Sequence, residues 1–218
     1  MITVKTGIAG FDEFLMGGVP PKIILLSGAP GSGNEVFARQ VLFYRAKSCP
    51  VTYFTVNATA ESVREDMAAY GWNLAPIEET EAWRFESLKN TKTSELTEVI
   101  LDEMRQARTV AIDSLSELLL NHDIKDILNL LTSMTHQNRK SQNFQLLLLT
   151  EGMQTPQEET TINHFAEGAI NFALNWNSDS TSRHLIIRKM AGTIMPTRRL
   201  TYTLGKRGFI IETATRIS

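Results

Sequence analysis

Residues 23–47, IILLSGAPGSGNEVFARQVLFYRAK, decide the fold of this chain. Residues 23–27 form a short, mostly apolar run of the kind that makes a strand buried on both faces. Gly28, Gly31 and Gly33 follow, where the backbone needs positive φ and close approach. The next side chains recur at helical spacing, at Val36, Phe37, Gln40, Val41 and Tyr44. The stretch therefore predicts a strand, a glycine turn and a helix.

This order of elements is typical of a phosphate cradle, because the turn and the first helical turn present unpaired N–H groups and the positive end of the helix dipole. The P-loop pattern is G-x-x-x-x-G-K-[ST], with lysine on the β/γ-phosphates and the hydroxyl on Mg²⁺. Residues 28–35, here called the phosphate loop, read GAPGSGNE at these positions. The candidate nucleotide-binding residues are Gly28, Gly31, Ser32, Gly33, Asn34 and Glu35.

Asn34 and Glu35 stand at the lysine and hydroxyl positions of that pattern. Losing one preorganised charge-stabilising group costs about 3–4 kcal/mol of transition-state stabilisation. A carboxylate adds repulsion of roughly 4 kcal/mol per charge pair at ~4 Å if the effective dielectric constant is about 20. We interpret Glu35 as an anion supplied by the loop, which caps the helix or pairs with Lys22 or Lys189. Two alternatives stay open: the loop still holds a phosphate, or Glu35 and Asp113 share a divalent cation.

The composition is that of a globular protein, with 42% hydrophobic and 21% charged residues among 218. We expect a single domain over residues 1–218. No apolar run reaches the ~18 residues of a membrane span, and the N-terminus lacks a signal-peptide core. The lone Cys49 excludes an intramolecular disulfide. These features predict a cytoplasmic protein without a membrane partner.

Charge is distributed unevenly along the chain. Residues 181–218 hold eight Lys/Arg against one acid, whereas the other 180 residues hold 14 basic and 23 acidic side chains. This asymmetry suggests an acidic partner, such as nucleic acid or another face of an oligomer, and solvated outer faces of strands are the alternative explanation. The candidate contacts are Arg183, Arg188, Arg198, Arg199, Lys206 and Arg207.

The remaining chain alternates strands and helices as far as residue 149. We predict strands at 51–56, 83–88, 109–113 and 145–149, and helices at 61–70, at 123–138 and from Ser94, which opens a capping box. From residue 169 onward only strands are predicted. The pattern indicates an α/β fold with a mainly parallel sheet, helices on both faces and a C-terminal antiparallel ribbon. Ligands of such sheets bind beyond the carboxyl ends of the strands, where the phosphate loop and Asp113 both fall.

Four further segments carry a family resemblance. They are TGIAGFDEFLMGGVP at 6–20, AYGWNL at 69–74, TVAIDS at 109–114 and KMAGT at 189–193. Together with the phosphate loop, and in this order, they resemble a single RecA-fold ATPase domain of the KaiC-like group over nearly the whole chain. The resemblance implies a RecA-like P-loop NTPase fold.

The chain departs from that family where the family carries its chemistry. In the family, a pair of glutamates activates the attacking water. In this chain the two corresponding residues are Asn57 and Ala58. Of the family's Lys-x-Arg pair, which reaches the γ-phosphate of a neighbouring subunit, Lys189 remains and Ala191 replaces the arginine. Asp113, the Walker B acid, is retained. Because losing the loop lysine and the base is enough to stop turnover, we predict a chain that is not an enzyme, with no catalytic residue and no resident metal ion.

Three functions are compatible with these residues. The first is a catalytically inactive structural or regulatory subunit without a cofactor, which binds a protein partner such as an active paralogue or a second copy. The second is a protein that binds ATP or ADP with Mg²⁺ without hydrolysis, with the base near Trp72 or the ribbon. The third is a nucleic-acid-binding accessory protein that uses the basic ribbon. Residues 153–161, where RecA-like proteins carry a mobile DNA-contacting loop, hold two acids and no base.

Overall fold

The computed structural model describes residues 2–141, 143–176, 181–193 and 198–212. Within these residues, nine strands form one sheet. They are β1 (Ile23–Gly28), β2 (Val51–Thr55), β3 (Trp83–Ser87), β4 (Thr109–Asp113), β5 (Gln145–Thr150), β6 (Gly168–Trp176), β7 (Thr181–Met190), β8 (Leu200–Gly205) and β9 (Gly208–Ile211). Their order across the sheet is β3-β2-β4-β5-β1-β6-β7-β8-β9.

The sheet has a parallel part and an antiparallel part. Strands β3, β2, β4, β5, β1 and β6 pair in parallel. Strands β6 to β9 pair antiparallel and form the C-terminal ribbon. The predicted fold class is therefore confirmed.

Helices cover the two faces of this sheet. Those in the described residues are α1 (Ala9–Phe14), α2 (Asn34–Arg45), α3 (Ala60–Ala69), α4 (Ala75–Glu79), α5 (Thr93–Arg105), α6 (Leu115–Leu118), α7 (Ile124–Ser141) and α8 (Pro156–Phe165). No helix of the described ranges has both the length and the apolar character that crossing a bilayer requires. The cytoplasmic location stays a prediction.

Strand β1 separates the two apolar cores. Ile24 and Leu26 belong to one core, together with side chains of α2 and α3. Ile23 and Leu25 belong to the other, together with side chains of α5 and α7. Successive side chains of a strand point to opposite faces, so β1 is buried on both faces, as predicted.

One helix is not predicted and one local prediction is wrong. Helix α8 begins within the segment 153–161, with a capping box between Thr155 and Glu158 and with proline in its first turn. Helix α5 does not begin with a capping box at Ser94: its N-cap is Lys92, which makes no side-chain capping bond.

Aromatic side chains attach the ribbon to α2. The ring centroids of Phe37 and Phe209 lie 5.1 Å apart, and those of Tyr202 and Phe209 lie 4.2 Å apart in a stacked arrangement. The Gln40 side chain also hydrogen-bonds to both backbone groups of Phe209. The ribbon is thus fixed against the helix that begins at the phosphate loop.

Candidate nucleotide site

A cleft of about 310 Å³ opens at the carboxyl ends of the parallel strands, as expected for a sheet of this type. The phosphate loop forms one side of it. Its other walls include Arg39 of α2, Ala58 after β2, Asp113 at the end of β4, and Glu117 of α6. We call it the phosphate-loop cleft.

The backbone of the phosphate loop has the form of an anion cradle. Gly31 and Gly33 have φ of 79° and 88°, in the left-handed region that favours glycine. As in any helix, the N–H groups in the first turn of α2 have no partner inside the helix. The N-cap residue makes no side-chain hydrogen bond to them either. These unpaired donors and the helix dipole favour a negative group at this end of the cleft.

Asn34 holds the loop together. Its Nδ2 donates to the carbonyls of Leu26 at 3.2 Å and Leu149 at 3.5 Å, and its Oδ1 accepts from the Ser32 hydroxyl at 3.4 Å. The residue is only 7% exposed. The amide at the lysine position therefore ties the loop to the ends of β1 and β5.

Glu35 lies at the wall of the cleft, half-buried, and makes no ion pair among the described residues. Lys22 instead pairs with Glu167 at 2.8 Å. The Lys189 ammonium donates to the carbonyls of His164 at 2.7 Å and Ala166 at 2.6 Å, at the end of α8. The expectation that Glu35 pairs with either lysine is wrong, because both have other partners.

Asp113 is held by two side chains. The Tyr53 hydroxyl donates to its Oδ2 at 2.5 Å, and Arg39 Nη2 lies 3.3 Å from the same oxygen. Arg39 also donates from Nε to the Tyr53 hydroxyl at 3.1 Å and from Nη1 to Asp66 at 2.9 Å. We call these four residues the Arg39 network.

The network fixes the protonation states of Tyr53 and Arg39. Burial, followed by the charge of Asp113, raises the pKa of Tyr53 well above its ordinary value, so its phenol stays protonated and donates. Burial alone lowers the pKa of Arg39, but its interactions with Tyr53, Asp113 and Asp66 outweigh that effect and raise it. The guanidinium is therefore a permanent cation at the cleft.

Asn57 and Ala58, which stand at the positions of the family's glutamate pair, carry no carboxylate. The carboxylate of Glu117, from α6, contacts Asn57 instead. Ala58 lines the cleft, and the backbone N–H of Asn57 donates to Glu117 Oε2 at 3.3 Å. Sequence reasoning missed both Glu117 and Arg39. Glu117 lies four residues after Asp113, on the short helix α6. Predicting a one-turn helix directly after β4 would have indicated that Glu117 lies near the carboxyl end of that strand.

The basic ribbon residues have different surroundings. Arg183 Nη2 donates to the Gly31 carbonyl at 3.4 Å, and its Nε is buried without a hydrogen-bond partner among the described residues. The Arg198 guanidinium lies over the Phe14 ring, 5.5 Å from its centroid. The Ala191 backbone N–H donates to the Glu167 carbonyl. The exposed members are Arg188, Arg198, Arg199, Lys206 and Arg207. A nucleic-acid or protein partner stays a prediction.

Trp72 is not available to stack on a base. It is 8% exposed and lies between the rings of Tyr70 and Phe43, at centroid distances of 4.9 and 6.2 Å. A nucleotide in the phosphate-loop cleft has to place its base elsewhere.

Magnesium does not fit the residues of this cleft in the way that the P-loop pattern requires. The hydroxyl ligand is replaced by Glu35, and one oxygen of Asp113 already accepts from Tyr53 and Arg39. Among the described residues, no three His, Cys, Asp or Glu side chains are grouped so that they could hold a metal ion.

Comparisons with known proteins agree with this geometry. A family model described as "ATPase: KaiC" matches residues 4–216. The UPF0273 protein PH0284 of Pyrococcus horikoshii is 29% identical over 233 residues, which cover 95% of this chain and 93% of that protein. A UPF0273 protein of Thermotoga maritima is 28% identical over 242 residues, covering 95% of both chains. The crystal structure of the KaiC-like protein PH0186 from Pyrococcus horikoshii OT3 superposes with a TM-score of 0.84 at 23% identity, covering 97% of this chain and 99% of that one.

These matches confirm the RecA-like P-loop fold and correct one prediction. The prediction that the chain is not an enzyme is wrong, because the matching family is one of ATPases and no comparison shows a loss of activity. The changes at Asn34, Glu35, Asn57, Ala58 and Ala191 do not override that assignment. The chain belongs to the KaiC family of ATPases, whose model it matches over almost its entire length.

Proposed function

We propose that this chain binds ATP in the phosphate-loop cleft and hydrolyses it. The observation that carries the proposal is the left-handed glycine turn leading into an uncapped helix, which presents unpaired amide donors to the cleft of a KaiC-family ATPase. Backbone amides bind phosphate without the lysine side chain, although with less charge.

Two arginines supply positive charge around the loop. Arg39 lies at the inner wall of the cleft, and Arg183 lies beside Gly31 with a buried Nε that has no partner among the described residues. An arginine binds phosphate oxygens through several N–H groups at once. We propose that these two side chains compensate in part for the neutral Asn34.

Glu117 is the carboxylate that we assign to water activation. In the proposed step the oxygen of water attacks the γ-phosphorus, and the bond from phosphorus to the β–γ bridging oxygen breaks. ADP leaves with that electron pair, and Glu117 takes the proton of the attacking water. The hydrogen bond from the Asn57 backbone N–H to Glu117 supports this assignment, because the family resemblance expects one of the glutamates at residue 57.

Calorimetric titration with ATP and ADP, together with a phosphate-release assay, tests this function. We expect wild type to bind both nucleotides and to release phosphate from ATP. Glu117→Gln should keep the affinity for ATP and lose about 10²–10⁴-fold in rate, which is the contribution of a positioned general base. The matched control is Glu65→Gln, which removes an exposed carboxylate of α3 outside the cleft. Wild type that neither binds ATP nor releases phosphate contradicts the proposal.

A further inference from the structure

We infer that Arg39 takes the place of Mg²⁺ in this site, so that ATP binds to the chain without a divalent cation. The inference rests on the proposed nucleotide binding in the same cleft. It begins from the mismatch between the cleft and the metal that the P-loop pattern implies.

Of the metal ligands in the P-loop pattern, one is replaced and the other is already engaged. The loop presents the carboxylate of Glu35 where the pattern has a hydroxyl. Asp113 accepts from the Tyr53 hydroxyl at 2.5 Å and faces the Arg39 guanidinium at 3.3 Å. A metal ion bound to that oxygen would have to displace two donors.

Arg39 is held in place by three hydrogen bonds at the cleft, where it can neutralise phosphate charge in place of the metal. Its side chain is 11% exposed, and its three bonds go to residues from β2, β4 and α3. These bonds use three of the five N–H donors of a guanidinium. The remaining donors belong to a side chain that lines the cleft together with the phosphate loop.

The charges of the network support the same role. The guanidinium neutralises Asp113, which would otherwise repel a polyphosphate, and in the P-loop pattern the metal does this. Asp66 is 63% exposed in its side chain, so it anchors Arg39 from the solvent side. The cation at the wall of the cleft is thus a permanent part of the protein.

Calorimetric titration with the nonhydrolysable analogue AMP-PNP, in EDTA and in excess MgCl₂, tests the inference. We expect the Kd of wild type to differ by less than about threefold between the two buffers. Arg39→Gln keeps a hydrogen-bonding side chain and loses the charge. We expect it to weaken binding in EDTA by about tenfold or more, the loss of one charge-assisted contact.

The matched control is Arg64→Gln, which removes the same charge from an ion pair with Glu78 outside the cleft and should bind like wild type. Binding by wild type that requires MgCl₂ overturns the inference and leaves the proposed function intact, as does Arg39→Gln binding as tightly as wild type in EDTA. Absence of binding in both buffers contradicts the proposed function as well. The wild-type comparison needs no variant, so the inference stays testable if Arg39→Gln does not fold.

Discussion

The side chains behind the phosphate loop determine its chemistry as much as those within it. The sequence pattern identified the loop residues and Asp113 but not Arg39. Arg39 lies on α2 among the apolar residues whose spacing predicts this helix. It belongs to no sequence motif, so the sequence alone does not indicate a functional role for it. Its partners Tyr53 and Asp66 come from two other elements, so only the folded chain brings the network together.

A partly buried carboxylate behind the loop makes the stability of the protein depend on pH. Glu151 follows β5 and accepts hydrogen bonds from Ser27 and Asn171. Burial, and then the charge of Glu159, raises its pKa. The folded state therefore binds this proton more tightly than the unfolded state, and the protein loses stability as pH rises from the ordinary glutamate pKa through the raised one.

We expect Glu151→Gln to raise the Tm at pH 7.5, because the amide removes the cost of ionising a partly buried carboxyl. The difference should shrink as the pH falls below the ordinary glutamate pKa, where the wild-type carboxyl becomes protonated in both states. Thermal unfolding at pH 7.5 and at a pH below that pKa measures this. Glu158, whose pKa is lowered by hydrogen bonds from Thr155, gives the opposite sign: Glu158→Gln should lower the Tm at pH 7.5. A Tm of Glu151→Gln equal to wild type at pH 7.5 would contradict the assignment.

At the scale of elements, helix α5 joins the sheet through a buried ion pair far from the cleft. Glu103 lies 3.3 Å from Arg108, and their side chains are 10% and 6% exposed. Arg108 also donates to the Thr52 hydroxyl at 2.7 Å and to the Val51 carbonyl at 2.6 Å. The pair therefore connects α5 with the amino ends of β2 and β4.

Removing one partner of this pair leaves a buried charge, so we expect Glu103→Ala to lower the free energy of unfolding by about 3–5 kcal/mol. Urea unfolding measures it. The matched control on the same helix is Glu98→Ala, which breaks an exposed pair with Arg105 and should leave the stability nearly unchanged. If both substitutions change the free energy of unfolding by the same amount, the buried pair contributes no more to stability than the exposed pair.

The helices that the sequence predicts well are the long amphipathic ones. Helices α5 and α7 carry apolar stripes, and their existence follows from the pattern alone. Short helices such as α4 and α6 carry too few periodic residues to be recognised. The sequence predicts a capping box at Ser94, but the N-cap of α5 is Lys92, which makes no side-chain capping bond. Local propensity therefore predicts the elements better than their boundaries.

At the scale of the whole molecule, the parallel sheet and the antiparallel ribbon were predictable, while their junction was not. The change of periodicity near residue 169 marks the ribbon. That the ribbon folds back onto α2 depends on contacts distant in sequence, such as that between Phe37 and Phe209. The same distance hides the bond from the Tyr202 hydroxyl to the Ser32 carbonyl, at 2.5 Å.

Tyr202→Phe removes that bond and keeps the stacked ring. Because the buried Ser32 carbonyl is left unsatisfied, we expect a loss of about 1–3 kcal/mol in the free energy of unfolding and weaker nucleotide binding. Urea unfolding and calorimetry measure the two effects. Tyr70→Phe is the control, since its ring stacks on Trp72 and its hydroxyl has no hydrogen-bond partner in the described structure. If the free energy of unfolding and the affinity for nucleotide both stay unchanged, this hydrogen bond contributes to neither.

The Tyr202 hydroxyl also links strand β8 to the phosphate loop. If a molecule bound to the ribbon displaced this hydroxyl and altered the affinity of the loop for phosphate, thermodynamic reciprocity would require phosphate to alter the affinity of that molecule by the same factor. One hydrogen bond would then couple two binding events whose residues lie 170 positions apart in the sequence.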